Sequence, residues 1–111
     1  MVYQMNLAKD PFDLIKSGRK TVEMRLCKSG RENIRRGDRI VFTCNDDGQT
    51  LSVLVLNIVK FPSFKELYVA YEPSRLGYNK DQKADPDDML IYYKKEDIEK
   101  FGVLALEIEL L

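Results

Sequence analysis

Alternating apolar and polar residues at the start of the chain predict a β-strand over residues 1–7. Tyr3, Met5 and Leu7 alternate with polar neighbours, which is the two-residue period of a strand with one buried face. The residues that follow predict a short helix. Asp10-Pro11 is typical of a helix N-terminus, and Gly18 is typical of the position just after a helix C-terminus.

The segment Thr21–Leu26 predicts a second strand with one apolar face and one polar face. Successive side chains of a strand point to opposite faces. The apolar face consists of Val22, Met24 and Leu26, and the opposite face consists of Thr21, Glu23 and Arg25. Lys20 precedes the strand directly, so its side chain is free to turn to either face.

The rest of the chain predicts three more strands and several short helical segments. Asn45–Gly48 is a hairpin signal between a strand over Arg39–Cys44 and a strand over Thr50–Lys60 that is apolar on both faces. A final strand, Val103–Leu110, shows one buried face and one mainly solvated face. The helical segments are predicted at 31–34, 64–70, from Asp85-Pro86 onward, and at 95–101. Residues 72–84 are predicted to form a long exposed loop.

This order of elements favours an α+β domain with a small, strongly curved mixed sheet or β-barrel of about five to six strands and short flanking helices. The chain has 111 residues, the usual length of one domain, so we expect residues 1–111 to fold as a single unit. No apolar run has the roughly 20 residues of a membrane span, and the N-terminal residues do not resemble a signal peptide. We therefore expect a cytoplasmic protein without membrane contact.

The absence of histidine narrows the possible chemistry. No Ser-His-Asp or Cys-His nucleophile system is possible without it, and the commonest metal ligand is missing. The two cysteines, Cys27 and Cys44, lack the close paired spacing of structural zinc sites. We expect two reduced thiols, no metal and no cofactor.

Charge is balanced overall but unevenly distributed. The chain has 18 basic and 18 acidic residues, which argues against a protein that binds nucleic acid through phosphate contacts alone. Residues 16–39 nevertheless contain nine basic and three acidic residues, a net charge of +6. Such a segment suits either an anionic ligand or a solvated basic face.

The run from Phe12 to Arg25 resembles the signature of the ASCH domain family, an apolar helix followed by Gly-x-Lys-x-x-Glu-x-Arg. Gly37–Phe42 and the ending Phe101–Ile108 resemble further blocks of the same family. The resemblance implies a PUA-like β-barrel, a fold used to bind RNA, and a cleft in which Lys20, Glu23 and Arg25 meet. As a binding module, the domain would hold RNA or a modified nucleoside or nucleotide. The ligand-binding residues would be Arg19, Lys20, Thr21, Glu23, Arg25 and Tyr93, with Tyr78 or Tyr92 as other stacking candidates.

Two alternatives remain open. One branch of the family resembles amidohydrolases that act on N4-acetylcytidine with a Lys, a Thr three residues later, and a later Glu. Lys20 and Glu23 would then be catalytic, but Glu23 stands where that branch has Thr, and the later Glu would be Glu66 or Glu72. In the other alternative the three charged residues are only a structural ion-pair cluster, in a module that binds other proteins.

Overall fold

The computed structural model describes residues 1–111 and contains five strands and three α-helices. The strands are β1 (Val2–Leu7), β2 (Val22–Leu26), β3 (Arg39–Cys44), β4 (Thr50–Phe61) and β5 (Val103–Leu110). The helices are α1 (Lys9–Lys16), α2 (Phe64–Ala70) and α3 (Lys95–Phe101). Short 3₁₀ helices occupy Arg31–Asn33, Pro73–Leu76 and Pro86–Ile91.

The strands form one mixed sheet in the order β1-β3-β4-β5-β2. β1 and β3 are parallel, and the other neighbouring pairs are antiparallel. β1 and β2 are therefore the two edges, and the sheet curves into a half-barrel that brings them towards each other. The predicted α+β class with a small, curved mixed sheet is confirmed.

Two hydrophobic clusters hold the sheet and helices together. One lies under α1 and includes Phe12, Ile15 and Phe42. The other lies under α2 and α3 and contains Val22, Met24 and Leu26. The predicted apolar face of the second strand is thus confirmed, and Glu23 and Arg25 point to the opposite side.

The solvent exposure of β4 and β5 differs from the sequence prediction. The first four residues of β5 are all buried, because β5 lies between β4 and β2 and helices cover its second face. β4 is less covered than its apolar sequence predicts. A register shift between Val55 and Asn57 displaces Leu56 from the ladder, and Leu56 is 43% exposed.

The region predicted as a loop is partly structured. Leu76, in the 3₁₀ helix Pro73–Leu76, is buried in the second cluster. Asp85 caps the following 3₁₀ helix, Pro86–Ile91, by accepting a hydrogen bond from the Asp87 backbone N–H at 2.9 Å. These segments form one wall of the cleft described below. No helix has the length and apolar character needed to cross a bilayer.

Candidate functional site: a charged cleft between the edge strands

The end of α1 fixes the position of Lys20. Gly18 adopts a positive φ of 84°, and the backbone N–H groups of Arg19 and Lys20 both donate to the carbonyl oxygen of Leu14 at 3.0 Å. This tight turn sends the two neighbouring side chains in different directions. Lys20 is 8% exposed and lies under the cleft, whereas Arg19 is exposed.

Glu23 lies at the centre of the site, and both of its carboxylate oxygens are occupied. Oε1 lies 3.2 Å from Lys20 Nζ and accepts a hydrogen bond from the Met24 backbone N–H at 3.1 Å. Oε2 accepts from Arg25 Nε at 3.0 Å and from Arg25 Nη2 at 2.9 Å. A carboxylate with these four contacts has little capacity left for a ligand.

Burial and charge act on Glu23 in opposite directions. Glu23 is only 3% exposed, and this burial would by itself raise the pKa of its carboxyl. The positive charges of Lys20 and Arg25, with their hydrogen bonds, outweigh the burial and hold the pKa of Glu23 below its usual value. Glu23 is therefore a charged carboxylate that holds two cations in place.

Arg25 also connects the two edges of the sheet. Its Nη2 donates to the backbone carbonyl oxygen of Asn6 in β1 at 2.8 Å, across the gap that no strand pairing closes. Its other terminal nitrogen, Nη1, makes no hydrogen bond to the protein. Lys20 Nζ, with three N–H donors, contacts only Glu23. Two cations and one carboxylate leave a surplus positive charge with unused donors.

A cleft of about 250 Å³ opens beside these three residues, and we name it the first lobe. Its wall facing the charged residues is aromatic and apolar. Tyr93 stacks on Phe64 with 5.9 Å between ring centroids, and Tyr92 is 62% exposed. Burial, partly offset by the charge of Arg25, raises the pKa of Tyr93. The lining of the first lobe includes Asn6, Lys20, Glu23, Arg25, Met89, Tyr92 and Tyr93.

A second lobe of about 240 Å³ continues from the first, and the two share Pro11, Lys20, Met24, Met89 and Tyr92. The Tyr78 hydroxyl donates to Asp88 Oδ2 at 2.7 Å and lies 2.8 Å from the Tyr68 hydroxyl. Burial, followed by the hydrogen bonds to Tyr68 and Asp88, raises the pKa of Tyr78.

The structure brings Lys20, Glu23, Arg25 and Tyr93 together, but it does not bring Arg19 or Thr21 to the first lobe. Arg19 hydrogen-bonds to Asn79 beside a separate surface depression. The Thr21 hydroxyl accepts from Arg75 Nε at 3.0 Å. Their predicted contact with a ligand stays a prediction without support from the geometry.

Neither candidate for the later glutamate lines the cleft. Glu66 is exposed and hydrogen-bonds to Ser63, and Glu72 is also exposed. The carboxylate that the later helical region does supply is Asp88, in the second lobe. Sequence reasoning missed the contribution of Asp88, Asn6 and Met89, because only the tertiary fold brings them beside Lys20. No cluster of His, Cys, Asp and Glu side chains has an arrangement that would hold a metal ion.

The half-barrel sheet with its short flanking helices belongs to the PUA-like class of folds. A family model described as the ASCH domain matches residues 5–111. The chain belongs to the ASCH domain family, which confirms the resemblance found in the sequence.

Solved structures agree with this assignment. The crystal structure of hypothetical protein PH0355 is 30% identical, with 100% of both chains covered and a TM-score of 0.84. The solution NMR structure of protein PF0455 from Pyrococcus furiosus is also 30% identical, with 100% of this chain and 98% of that chain covered and a TM-score of 0.70. The crystal structure of ASCH from Zymomonas mobilis is 15% identical and shares the fold, with a TM-score of 0.68 over 97% of this chain and 66% of that one. No curated protein matches the chain significantly.

Proposed function

We propose that this ASCH domain binds a nucleotide, free or within RNA, in the cleft between β1 and β2. Lys20 and Arg25 donate hydrogen bonds to a phosphate or base carbonyl oxygen, and Tyr92 and Tyr93 offer aromatic surface to the base. One observation carries the proposal. Both oxygens of the Glu23 carboxylate are already occupied, and Lys20 and Arg25, which pair with it, retain unused N–H donors beside the open first lobe.

A purely structural ion pair explains this arrangement less well. Burying charges is costly unless they are paired and hydrogen-bonded, and one cation would neutralise Glu23. The structure has two cations here, and the side chains of Lys20 and Arg25 are only 9% and 12% exposed. An anionic or carbonyl oxygen would use the remaining donors and balance the surplus charge.

The aromatic wall suits a nucleobase. Stacking on an aromatic side chain contributes about 1–3 kcal/mol per base and tolerates different bases. Tyr92 is exposed enough to accept a flat ring, and Tyr93 is held in position by Phe64. These features support a nucleotide over a simple anion such as phosphate.

Amide hydrolysis on an N4-acylated cytidine has less support. Glu23 occupies the position of the threonine, and both of its oxygens are engaged. Lys20 Nζ lies 3.2 Å from Glu23 Oε1, so its contact in the site is with that carboxylate and not with a threonine hydroxyl. Glu66 and Glu72 lie outside the cleft.

Fluorescence anisotropy with a labelled single-stranded RNA, and competition by cytidine 5′-monophosphate (CMP), would test the proposal. Lys20→Ala and Arg25→Ala should each weaken binding by about tenfold, since hydrogen bonds to charged groups contribute about 1.5–3 kcal/mol. Arg19→Ala is the matched control, because it removes the same charge one residue away and should leave the affinity nearly unchanged. Equal losses in all three variants, or no loss in any, would refute the proposal.

The same purified protein can be tested for the alternative function, amide hydrolysis. Incubation with N4-acetylcytidine, followed by chromatography, would detect released cytidine. We expect no turnover above the rate without protein. Release of cytidine that Lys20→Ala abolishes would favour the hydrolase instead.

A further inference from the structure

The second lobe has apolar walls and one polar corner. Leu14, Leu76 and Ile91 supply much of the apolar lining, and Met24 and Met89 lie at the junction with the first lobe. The nucleotide contacts proposed above leave this space unused. Its volume, about 240 Å³, nearly equals that of the first lobe.

The polar corner is a chain of hydrogen bonds from Tyr68 through Tyr78 to Asp88. The Tyr78 proton is directed to Asp88 Oδ2 at 2.7 Å, so the Tyr68 hydroxyl is the donor in its 2.8 Å contact with Tyr78. Each hydroxyl has a single proton, and both protons are used inside the chain. The corner therefore offers only acceptor oxygens to a ligand: the Asp88 carboxylate and the oxygen lone pairs of the tyrosines.

The two lobes thus have opposite polarity. Lys20 lines both lobes, Glu23 and Arg25 line only the first, and Asp10 and Asp88 line only the second. The charged side chains therefore give the first lobe a net positive charge and the second a net negative charge. The net negative charge of the second lobe disfavours an anionic group, and a group with only acceptors would leave the corner of Tyr68, Tyr78 and Asp88 without a donor. A mostly apolar group with an N–H or O–H donor would pack against the apolar walls of the second lobe and hydrogen-bond to its polar corner.

We propose that the second lobe is a specificity subsite for a neutral, mostly apolar substituent that carries a hydrogen-bond donor. This inference rests on the proposed function in one respect: the substituent is part of the same ligand that Lys20 and Arg25 bind. The site thereby selects a modified nucleotide over an unmodified one. Tyr78 and Asp88 are the residues that recognise the donor, and Tyr68 positions Tyr78.

Benzamide is a direct probe of the subsite, because it combines an apolar ring with an amide N–H donor. N,N-dimethylbenzamide is its matched control, with the same ring and carbonyl group but no donor. Titration of ¹⁵N-labelled protein followed by NMR should shift the amide signals of Leu76, Gly77 and Met89 with benzamide. The control compound should bind about three- to tenfold more weakly, the range for loss of one hydrogen bond.

Substitutions in the protein test the role of the polar corner. Asp88→Asn and Tyr78→Phe should reduce the preference for benzamide over its dimethyl analogue, and the dispersion of the NMR spectrum verifies that each variant is folded. Equal binding of the two compounds, or shifts outside this lobe, would overturn the proposal. Benzamide should still bind to Arg25→Ala, because Arg25 lines only the first lobe, and to protein that fails to bind RNA or CMP. Failure of the proposed function and failure of the subsite are therefore separate results.

Discussion

Glu23 holds Lys20 and Arg25 in place, and its contact with a ligand stays a prediction. Its two oxygens accept from Lys20, Arg25 and a backbone N–H, and its side chain is 4% exposed. In the proposed complex the two cations face the ligand, because their donors exceed what one carboxylate can accept. Glu23 is thus the positioning residue of the cleft.

Glu23→Gln should destabilise the fold strongly. The amide would leave Lys20 and Arg25 as neighbouring buried cations without a counter-charge, and loss of one partner of a buried pair costs about 3 kcal/mol. Urea unfolding at neutral pH measures this change. Glu72→Gln is the control, because Glu72 is exposed and its side chain makes no hydrogen bond, so its replacement should leave the unfolding midpoint nearly unchanged. A Glu23→Gln protein as stable as the parent would mean that the three charges do not depend on one another.

The stability should also depend on pH through Glu23. Its pKa is lowered in the folded protein from the value of 4.5 for an unperturbed glutamate. The unfolded chain therefore binds the additional proton first as the pH falls, and the stabilisation from Glu23 is present above that value and is lost below it. The free energy of unfolding should be higher for the parent than for Glu23→Gln above about pH 5, and the difference should shrink on acidification.

Urea unfolding of both proteins between neutral and acidic pH would measure this difference. Asp38, Asp47 and Glu66 also have lowered pKa values, but both proteins share them, so the difference isolates Glu23. A difference that stayed constant across this range would contradict the account.

Short connections between elements decide which side chains reach the cleft. The turn after α1 places Lys20 inside and Arg19 outside, through two hydrogen bonds to the Leu14 carbonyl oxygen. Gly77 follows the 3₁₀ helix Pro73–Leu76 with a φ of 106° and packs against the same region. A Cβ at Gly77 would lie 3.2 Å from Leu14 Cδ1 and 3.5 Å from Lys20 Cδ.

Gly77→Ala should destabilise the protein more than Gly18→Ala. Both glycines have positive φ, a conformation that costs about 1–2 kcal/mol for other residues. Gly18 has open space around it, whereas Gly77 also has a close neighbour on α1. Thermal unfolding measures the loss of stability in each variant. Gly18→Ala reports backbone strain alone, and Gly77→Ala reports backbone strain together with crowding against Leu14. Equal losses of stability would show that the contact with Leu14 relaxes freely.

The sequence predicted most elements because their signals are local. Alternation indicated the first, second and last strands, and a hairpin signal at Asn45–Gly48 indicated the third and fourth. Gly18 ended the first helix, and the apolar residues of β2 marked its buried face. The errors concern long-range packing. The burial of both faces of β5 depends on its position between β4 and β2, and no local pattern specifies strand order.

Only those site residues that lie together in one segment of the sequence could be predicted. Glu23 and Arg25 follow from strand alternation, and the family resemblance adds Lys20. Asn6 and Asp88 come from distant segments, so their contribution depends on the curvature of the sheet and on the packing of the 3₁₀ helix Pro86–Ile91. Local sequence patterns carry no information about such contacts.

The basic segment of residues 16–39 is divided in the folded molecule. Lys20 and Arg25 line the cleft near the end of β1, whereas Arg39 pairs with Val2 at the other end of that strand. Asn6, which Arg25 contacts, and Val2 are four steps apart along the strand, which separates their backbones by roughly 13 Å. A ligand in the cleft would therefore meet Lys20 and Arg25 and not Arg39.

Salt dependence should reflect this division. With two phosphate-neutralising contacts, the logarithm of the RNA association constant should fall with the logarithm of salt concentration with a slope of about −1.4. Anisotropy titrations at several salt concentrations measure the slope. A slope near −4 would mean that six or so cations contact the RNA, and the basic segment as a whole would then be the interface.

The most direct test of the central claim is an NMR map of the CMP site on ¹⁵N-labelled protein. We expect the largest amide shifts at Asn6, Lys20, Met24, Arg25 and Tyr93. Arg25→Ala should strongly reduce them at the same sub-saturating CMP concentration, in line with its roughly tenfold weaker binding. Shifts centred on Arg35, Arg36 and Arg39, or no saturable shifts at all, would contradict the claim.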